Sequence, residues 1–278
     1  MKYQRRFEYG PDCEVSILHR NYHDLVNGLQ RRRLVFKLGV TEIAQRYRNT
    51  YLGPLWMTIS LAVFLTILGY VGGALFNLEL RDYLPYLCLG VVTWTFISAV
   101  VSESGQLFVT APISTVVYDV PMSTFVYSFI TRHLLLFAHN LLLYLLIAAY
   151  FGINFLPYLH FAILGMVILI IFSIGVTLSL AVICVRMRDI PQIVSNLLQV
   201  SFFATPIMWN AQLLADRGRK MILDLNPFYY LIEIVRAPLL GQEVDPMFYA
   251  VATSIALLTL LFGVAIYVRY KHRVMFYR

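Results

Sequence analysis

Two arginines flank a tyrosine at Arg46-Tyr47-Arg48, a few residues ahead of Gly53-Pro54. Paired guanidinium groups at a membrane surface suit the oxyanions of a phosphate-bearing lipid, because each presents a planar fork of donors. The same pair would also serve as a plain positive anchor on the inner face of a membrane, and the spacing leaves both readings open. His19 and His23 lie four apart, a ligand spacing on a helix, but no third ligand accompanies them and no metal site is expected. Glu103, Asp119 and Asp189 read as isolated carboxylates, which argues against a membrane-embedded polyprenyl-phosphate glycan transferase, since that chemistry needs clustered acids or a metal. A phosphate-cradling loop requires G-x-x-x-x-G-K-[ST], and the sequence contains no Gly-Lys dipeptide. The chain is therefore read as having no catalytic residues and no cofactor of its own.

The elements that must position these residues are built for lipid. Hydrophobic residues make up 59% of the 278 and charged residues 13%, against roughly 45–50% and 25% in soluble domains. The net charge of +7 does not call for nucleic acid, because basic excess in a membrane protein gathers in inner segments and at anionic headgroups. Cys13, Cys88 and Cys184 are far apart and read as inert. Asp12, Glu14, His19, Arg20 and Asp24 interrupt the N-terminal segment where a signal peptide needs an apolar core, so no cleavage is expected.

Stretches without Asp, Glu, Lys or Arg run over Gly53–Asn77, Tyr83–Ser102, His133–Val185, Ile190–Ala215 and Pro246–Val268. A crossing takes roughly 20 apolar residues, so the third stretch holds two, broken by Gly152, Asn154 and Pro157. The fold class expected is an all-α membrane protein with six spanning helices, Pro54–Asn77, Tyr83–Phe108, Phe125–Phe151, Leu156–Val185, Pro191–Trp209 and Pro246–Tyr270. About 17 of the 22 Lys and Arg residues fall on the N-terminal side and about 5 on the other, which places both termini in the cytoplasm. Residues 1–53 form a cytoplasmic N-terminal segment and 54–278 the membrane domain. Within the first, Arg31–Arg48 is expected to be an amphipathic helix in the headgroup layer, with Phe36, Val40, Ile43 and Tyr47 on one face and Lys37, Thr41, Gln45 and Arg48 on another. Gly53-Pro54 then turns the chain from along the membrane to across it.

Two spans carry groups suited to a polar path. Thr58, Ala62, Thr66, Gly69 and Gly73 form a small-residue stripe in the first, with Trp56 and Tyr70 on another face. Gln192, Ser195, Gln199, Phe202 and Pro206 line up in the fifth, followed by Phe203 and Trp209. Aromatic rings present a tolerant surface to sugar CH faces, which makes Trp56, Tyr70, Ser195, Gln199, Phe202 and Phe203 the candidate channel lining. Helix packing and an interfacial aromatic belt account for the same residues equally well. His139 with Asn140 is expected to hydrogen-bond between helices, with a proton relay as the alternative for an ionisable group within a span.

Taken in order, Arg46-Tyr47-Arg48-Asn49-Thr50-Tyr51-Leu52-Gly53-Pro54-Leu55-Trp56, Arg132 with His139-Asn140, Arg186-Met187-Arg188-Asp189-Ile190-Pro191, Asn226-Pro227-Phe228 and Arg236-Ala237-Pro238-Leu239-Leu240-Gly241 resemble the ABC-2-type membrane subunits that export O-antigen, teichoic acid and related polysaccharides on a lipid pyrophosphate carrier. The resemblance covers nearly the whole chain from about Tyr22. It implies a multi-pass permease of the bacterial inner membrane, working as a homodimer with two copies of a separate ATPase that holds ATP and Mg, and with lipid-linked polysaccharide, not nucleic acid, as substrate. It further implies a gate for lipid pyrophosphate at Arg46, Tyr47, Arg48, Gly53 and Pro54, and short re-entrant helices within Asn210–Gly241 that close the outer mouth. Surfaces open to the ATPase are the N-terminal helix with Lys37, the loop Val109–Thr124 with Val109, Tyr118 and Asp119, and the turn with Arg186, Arg188 and Asp189; the resemblance assigns the coupling helix to the loop. That loop departs from the basic character the resemblance leads one to expect. An exporter of a drug or small lipid is the alternative within the same superfamily.

Overall fold

The computed structural model describes residues 11–48, 50–53, 55–110, 120–211 and 220–277; Pro54, Tyr118 and Asp119 therefore lie outside the described residues. Among the described residues every regular element is helical. In chain order they are α1 Pro11–Gln30, α2 Arg32–Arg46, α3 Leu55–Phe76, α4 Leu80–Ser104, α5 Leu107–Thr110, α6 Ser123–Phe151, a 3-10 turn Leu156–Tyr158, α7 Leu159–Arg186, α8 Ile190–Ala204, α9 Lys220–Asp224, α10 Pro227–Leu239 and α11 Pro246–Tyr277.

Helix is the form in which a segment satisfies its own backbone groups inside lipid. Among the described residues, five helical segments, α3, α4, α6, the 3-10 turn with α7, and α11, are long and apolar enough to cross a bilayer, and the protein is a multi-pass membrane protein. The sixth apolar helix, α8, has 15 residues and rises about 22 Å, short of the roughly 30 Å hydrocarbon layer. The expected span Pro191–Trp209 thus ends early: Thr205 leaves the helix in extended conformation. Between α6 and α7 the turn falls where the sequence puts it. Gly152 adopts φ 71°, the left-handed cap that glycine alone reaches without strain, and the Ile153 amide returns to Ala148 O at 2.9 Å.

The core is formed by α4 and α7, buried over 67% and 61% of their most apolar windows, against 22% for α3. Helices α7 and α11 cross at glycine: a Cβ on Gly175 would sit 2.4 Å from Leu260 N, and one on Gly263 2.2 Å from Gly175 O. Such close backbone approach is how spanning helices gain packing without a hydrophobic driving force.

Helix α1 is an element the sequence reading left undefined. Its Asn21 Nδ2 donates to Val268 O at 2.7 Å near the end of α11, so the N-terminal helix and the end of the last helix share one end of the bundle, here called the basic end. Nor does α2 present the expected amphipathic face to a headgroup layer alone. Val35 and Gly39 are buried against α6, while Phe36 and Val40, on the face expected to be apolar, stay exposed.

Candidate functional site

Gly39 fixes how closely α2 lies on α6, because a Cβ there would meet Ser128 O at 3.1 Å and Arg132 N at 3.3 Å. This approach carries the next turn of α2, with Glu42 and Arg46, over the middle of α6 and the end of α4. There Arg132 Nη1 meets Glu42 Oε2 at 3.0 Å and Arg132 Nη2 meets Glu103 Oε2 at 2.7 Å. His133 Nε2 lies 3.5 Å from the same Glu103 oxygen, and Arg46 Nη1 lies 3.8 Å from Glu103 Oε1. The Arg132 guanidinium also rests 5.0 Å from the centre of the Phe129 ring. Glu42, Arg46, Glu103, Phe129 and Arg132 border a cleft of about 710 Å³ that Gln45, Gln106 and Phe125 help to line. Burial pushes the Glu42 carboxyl up, an effect that Arg132 offsets only in part.

Glu103, read from sequence as an isolated carboxylate, is therefore the centre of an ion-pair network. Its partners come from α2 and α6, 57 and 29 residues away in the nearest ion pairs (103 − 46 and 132 − 103), so no local spacing could reveal it. Each carboxylate faces a guanidinium fork, an arrangement that suits exchange of one anion for another.

Among the expected gate residues, Arg46 and Arg48 are exposed, Tyr47 is half-buried with its hydroxyl 3.8 Å from Met57 Sδ, and Gly53 turns the chain at φ 53°. Of the residues proposed to meet an ATPase, Lys37, Val109, Arg186, Arg188 and Asp189 are all exposed at the basic end. Val109 and Arg188 line one cleft of about 360 Å³, whereas Arg186 lines a separate, apolar one beside Met187 and Tyr270. Trp56, Tyr70, Ser195, Gln199 and Phe203 are exposed, and half-buried Phe202 sets its ring 5.9 Å from Trp94. In the small-residue stripe of α3, Gly69 and Gly73 pack against the start of α4 and the bend before it. Among the described residues, His139 Nε2 and Asn140 Oδ1 find no hydrogen-bond partner, so the interhelical bonds expected of them are not seen there.

Two further clusters hold the frame of the site. At the basic end Asp24 accepts hydrogen bonds from the amides of Met122 and Ser123 at 3.2 and 3.1 Å, accepts another from the Tyr267 hydroxyl at 2.6 Å, and pairs with Lys271 at 2.6 Å. Burial pushes this carboxyl up, but the bonds from Lys271, Tyr267 and Ser123 outweigh it and hold it below the usual carboxylate range. In sequence Asp24 registered as one of the residues that interrupt the N-terminal segment where a signal peptide needs an apolar core. At the opposite end the chain after α8 is tied down by α4 and α10. Tyr83 donates to Met208 O at 2.6 Å, and Tyr86 donates to Pro206 O at 3.0 Å and Trp209 O at 3.1 Å. Arg236, fully buried, donates to Pro206 O at 2.7 Å and stacks 3.9 Å over the Tyr86 ring, with Glu233 as the i, i+3 partner that the spacing suggests. Asn226 caps α10 through Phe228 N and donates to Thr205 Oγ1 at 2.9 Å.

Comparison with known proteins agrees with the order of motifs. Residues 33–240 match the family described as ABC-2 type transporter. The chain is 28% identical over 239 residues to the O-antigen export system permease protein RfbA of Myxococcus xanthus, covering 82% of this chain and 90% of that one. With a charged cleft under α2, a bundle of apolar helices and a family match across three quarters of its length, the chain belongs to the ABC-2 type transporter family of membrane proteins.

Proposed function

We propose that this chain is the permease subunit of an exporter that moves a lipid-linked polysaccharide, of the O-antigen kind, across the bacterial cytoplasmic membrane. Two copies pair, and two copies of a separate ATPase, which holds ATP and Mg, bind at the basic end, on the cytoplasmic side with both termini. The observation that carries this reading is the polar face of α8. Gln192, Ser195, Asn196 and Gln199 are exposed in the single chain, and Leu198 is the one buried residue in that helix. Amide and hydroxyl side chains at membrane depth face protein or a water-filled path, never lipid tails. A second copy opposite α8 would enclose such a path, and the likeness to an O-antigen permease supports a glycan as its load.

In this reading the path runs between α3 and α8, and the cleft at Arg46 receives the phosphate-bearing end of the lipid carrier. The residues that close the outer mouth are those of α10 and the tied-down turn after α8. No residue of this chain cleaves ATP, consistent with the missing Gly-Lys dipeptide. Deleting the gene tests the proposal: finished lipid-linked polymer should accumulate on the inner side, and complementation should return it to the surface. Unchanged surface glycan with resistance to a drug lost instead would support the small-molecule exporter.

A further inference from the structure

We infer that Glu103 is a resident counter-anion that occupies the seat of the substrate's phosphate group and sets how tightly that group is held. The inference rests on the reading of the Arg46 cleft as a headgroup site. Its two oxygens are divided between two arginines: Oε1 faces Arg46 at 3.8 Å and Oε2 faces Arg132 at 2.7 Å. A single acid bridging two guanidinium groups is in the position that an oxyanion of a phosphoester would take. The two legs differ. Arg132 is 17% exposed and is also held by Glu42 at 3.0 Å, so it is fixed between helices. Arg46 is 56% exposed and its contact with Glu103 is the longest of the network, so it is the cation free to change partner.

Charge balance says what an incoming anion must do. The network pairs two arginines with two carboxylates, so with His133 neutral it carries no net charge. A phosphate anion entering the cleft gains attraction only by drawing Arg46 from Glu103, since Arg132 remains doubly paired. Glu103 thus weakens binding on purpose: a load that must leave again is better held by an exchangeable pair than by bare positive charge. Removing the carboxylate leaves the two arginines facing Glu42 alone, and affinity for phosphate should rise rather than fall.

The full-length chain in phosphatidylcholine nanodiscs provides the test, with inorganic pyrophosphate titrated calorimetrically as the soluble probe. Native mass spectrometry of retained polyprenyl pyrophosphate against phosphatidylglycerol separates a carrier headgroup from an ordinary anionic lipid. Glu103→Gln should tighten pyrophosphate binding about tenfold, Arg46→Gln should weaken it about tenfold, and the double variant, in which Arg132 is released from Glu103, should recover part of the loss of Arg46→Gln. Asp189→Asn, which removes an exposed carboxylate from the same end, should change affinity less than twofold. An equal gain in Asp189→Asn and Glu103→Gln would overturn the inference in favour of bulk charge. Weakening by Arg46→Gln without a gain in Glu103→Gln would overturn it while leaving the headgroup reading standing, and no effect of either would sink both. Should Glu103→Gln fail to fold, Glu103→Asp, which keeps the charge but withdraws it from Arg46, should still tighten binding; unchanged affinity there counts against the exchange.

Discussion

Single side chains fix the joints of this protein, and Asp24 is one of them. One carboxylate supplies the acceptor for the first amides of α6, a bond to Tyr267 and an ion pair with Lys271, so it joins three helices. Asp24→Asn should lower the unfolding free energy in detergent by about 3 kcal/mol, the scale for breaking a largely buried pair. Lys271→Met should cost a similar amount, and the double variant less than the sum. The sign with pH follows from a folded-state value below the unfolded one of about 3.9. The contribution is complete above the unfolded value and fades as pH falls through the lower folded one, so wild type and Asp24→Asn should converge in stability only below about pH 4. Equal losses at pH 7 and pH 3 would reject this account. Glu103 makes the same point about legibility: neither acid announces its role by spacing, because each is completed by residues from distant helices.

At the scale of elements, helix α8 departs most from what hydropathy alone leads one to expect. Its apolar run continues in sequence beyond Ala204, yet the helix stops at Thr205 because Tyr83, Tyr86 and Arg236 capture the following carbonyls. A short helix closed by a tied-down turn leaves its polar face open along the membrane. In a background whose native cysteines are replaced by serine, cysteines at Ser195 and Gln199 should react with water-soluble thiol reagents while the transporter turns over. Complete protection in every nucleotide state would return this face to helix packing. The α2 helix gives the converse case. The apolar periodicity correctly marks a helix, but Gly39 decides which face is buried, since only a residue without Cβ brings Val35 and Gly39 onto α6.

The whole molecule is a buried pair, α4 and α7, with helices of lower burial around it. Open apolar faces on α11, such as Leu258 and Leu261, suit lipid, whereas the amide-bearing face of α8 does not. Asn196→Cys on the amide-bearing face of α8 should therefore cross-link to a second copy with a short bifunctional thiol reagent, giving a species of twice 32.0 kDa. Leu261→Cys on α11 should remain monomeric under the same treatment. Cross-linking at both sites or at neither would remove the argument for pairing through α8.

The sequence by itself determined the solvent, the class and the order of the crossings, because long uncharged runs and glycine turns act locally and survive without a partner. Motif order was enough to reach the family. Only the tertiary structure decided where α8 ends, which face of α2 is buried, and that Glu42, Arg46, Glu103, Arg132 and His133 form one charged network. The physical reason is range: a turn or a span is written in neighbouring residues, but an ion pair between helices depends on how closely two backbones approach, and that is set by packing far from either charge.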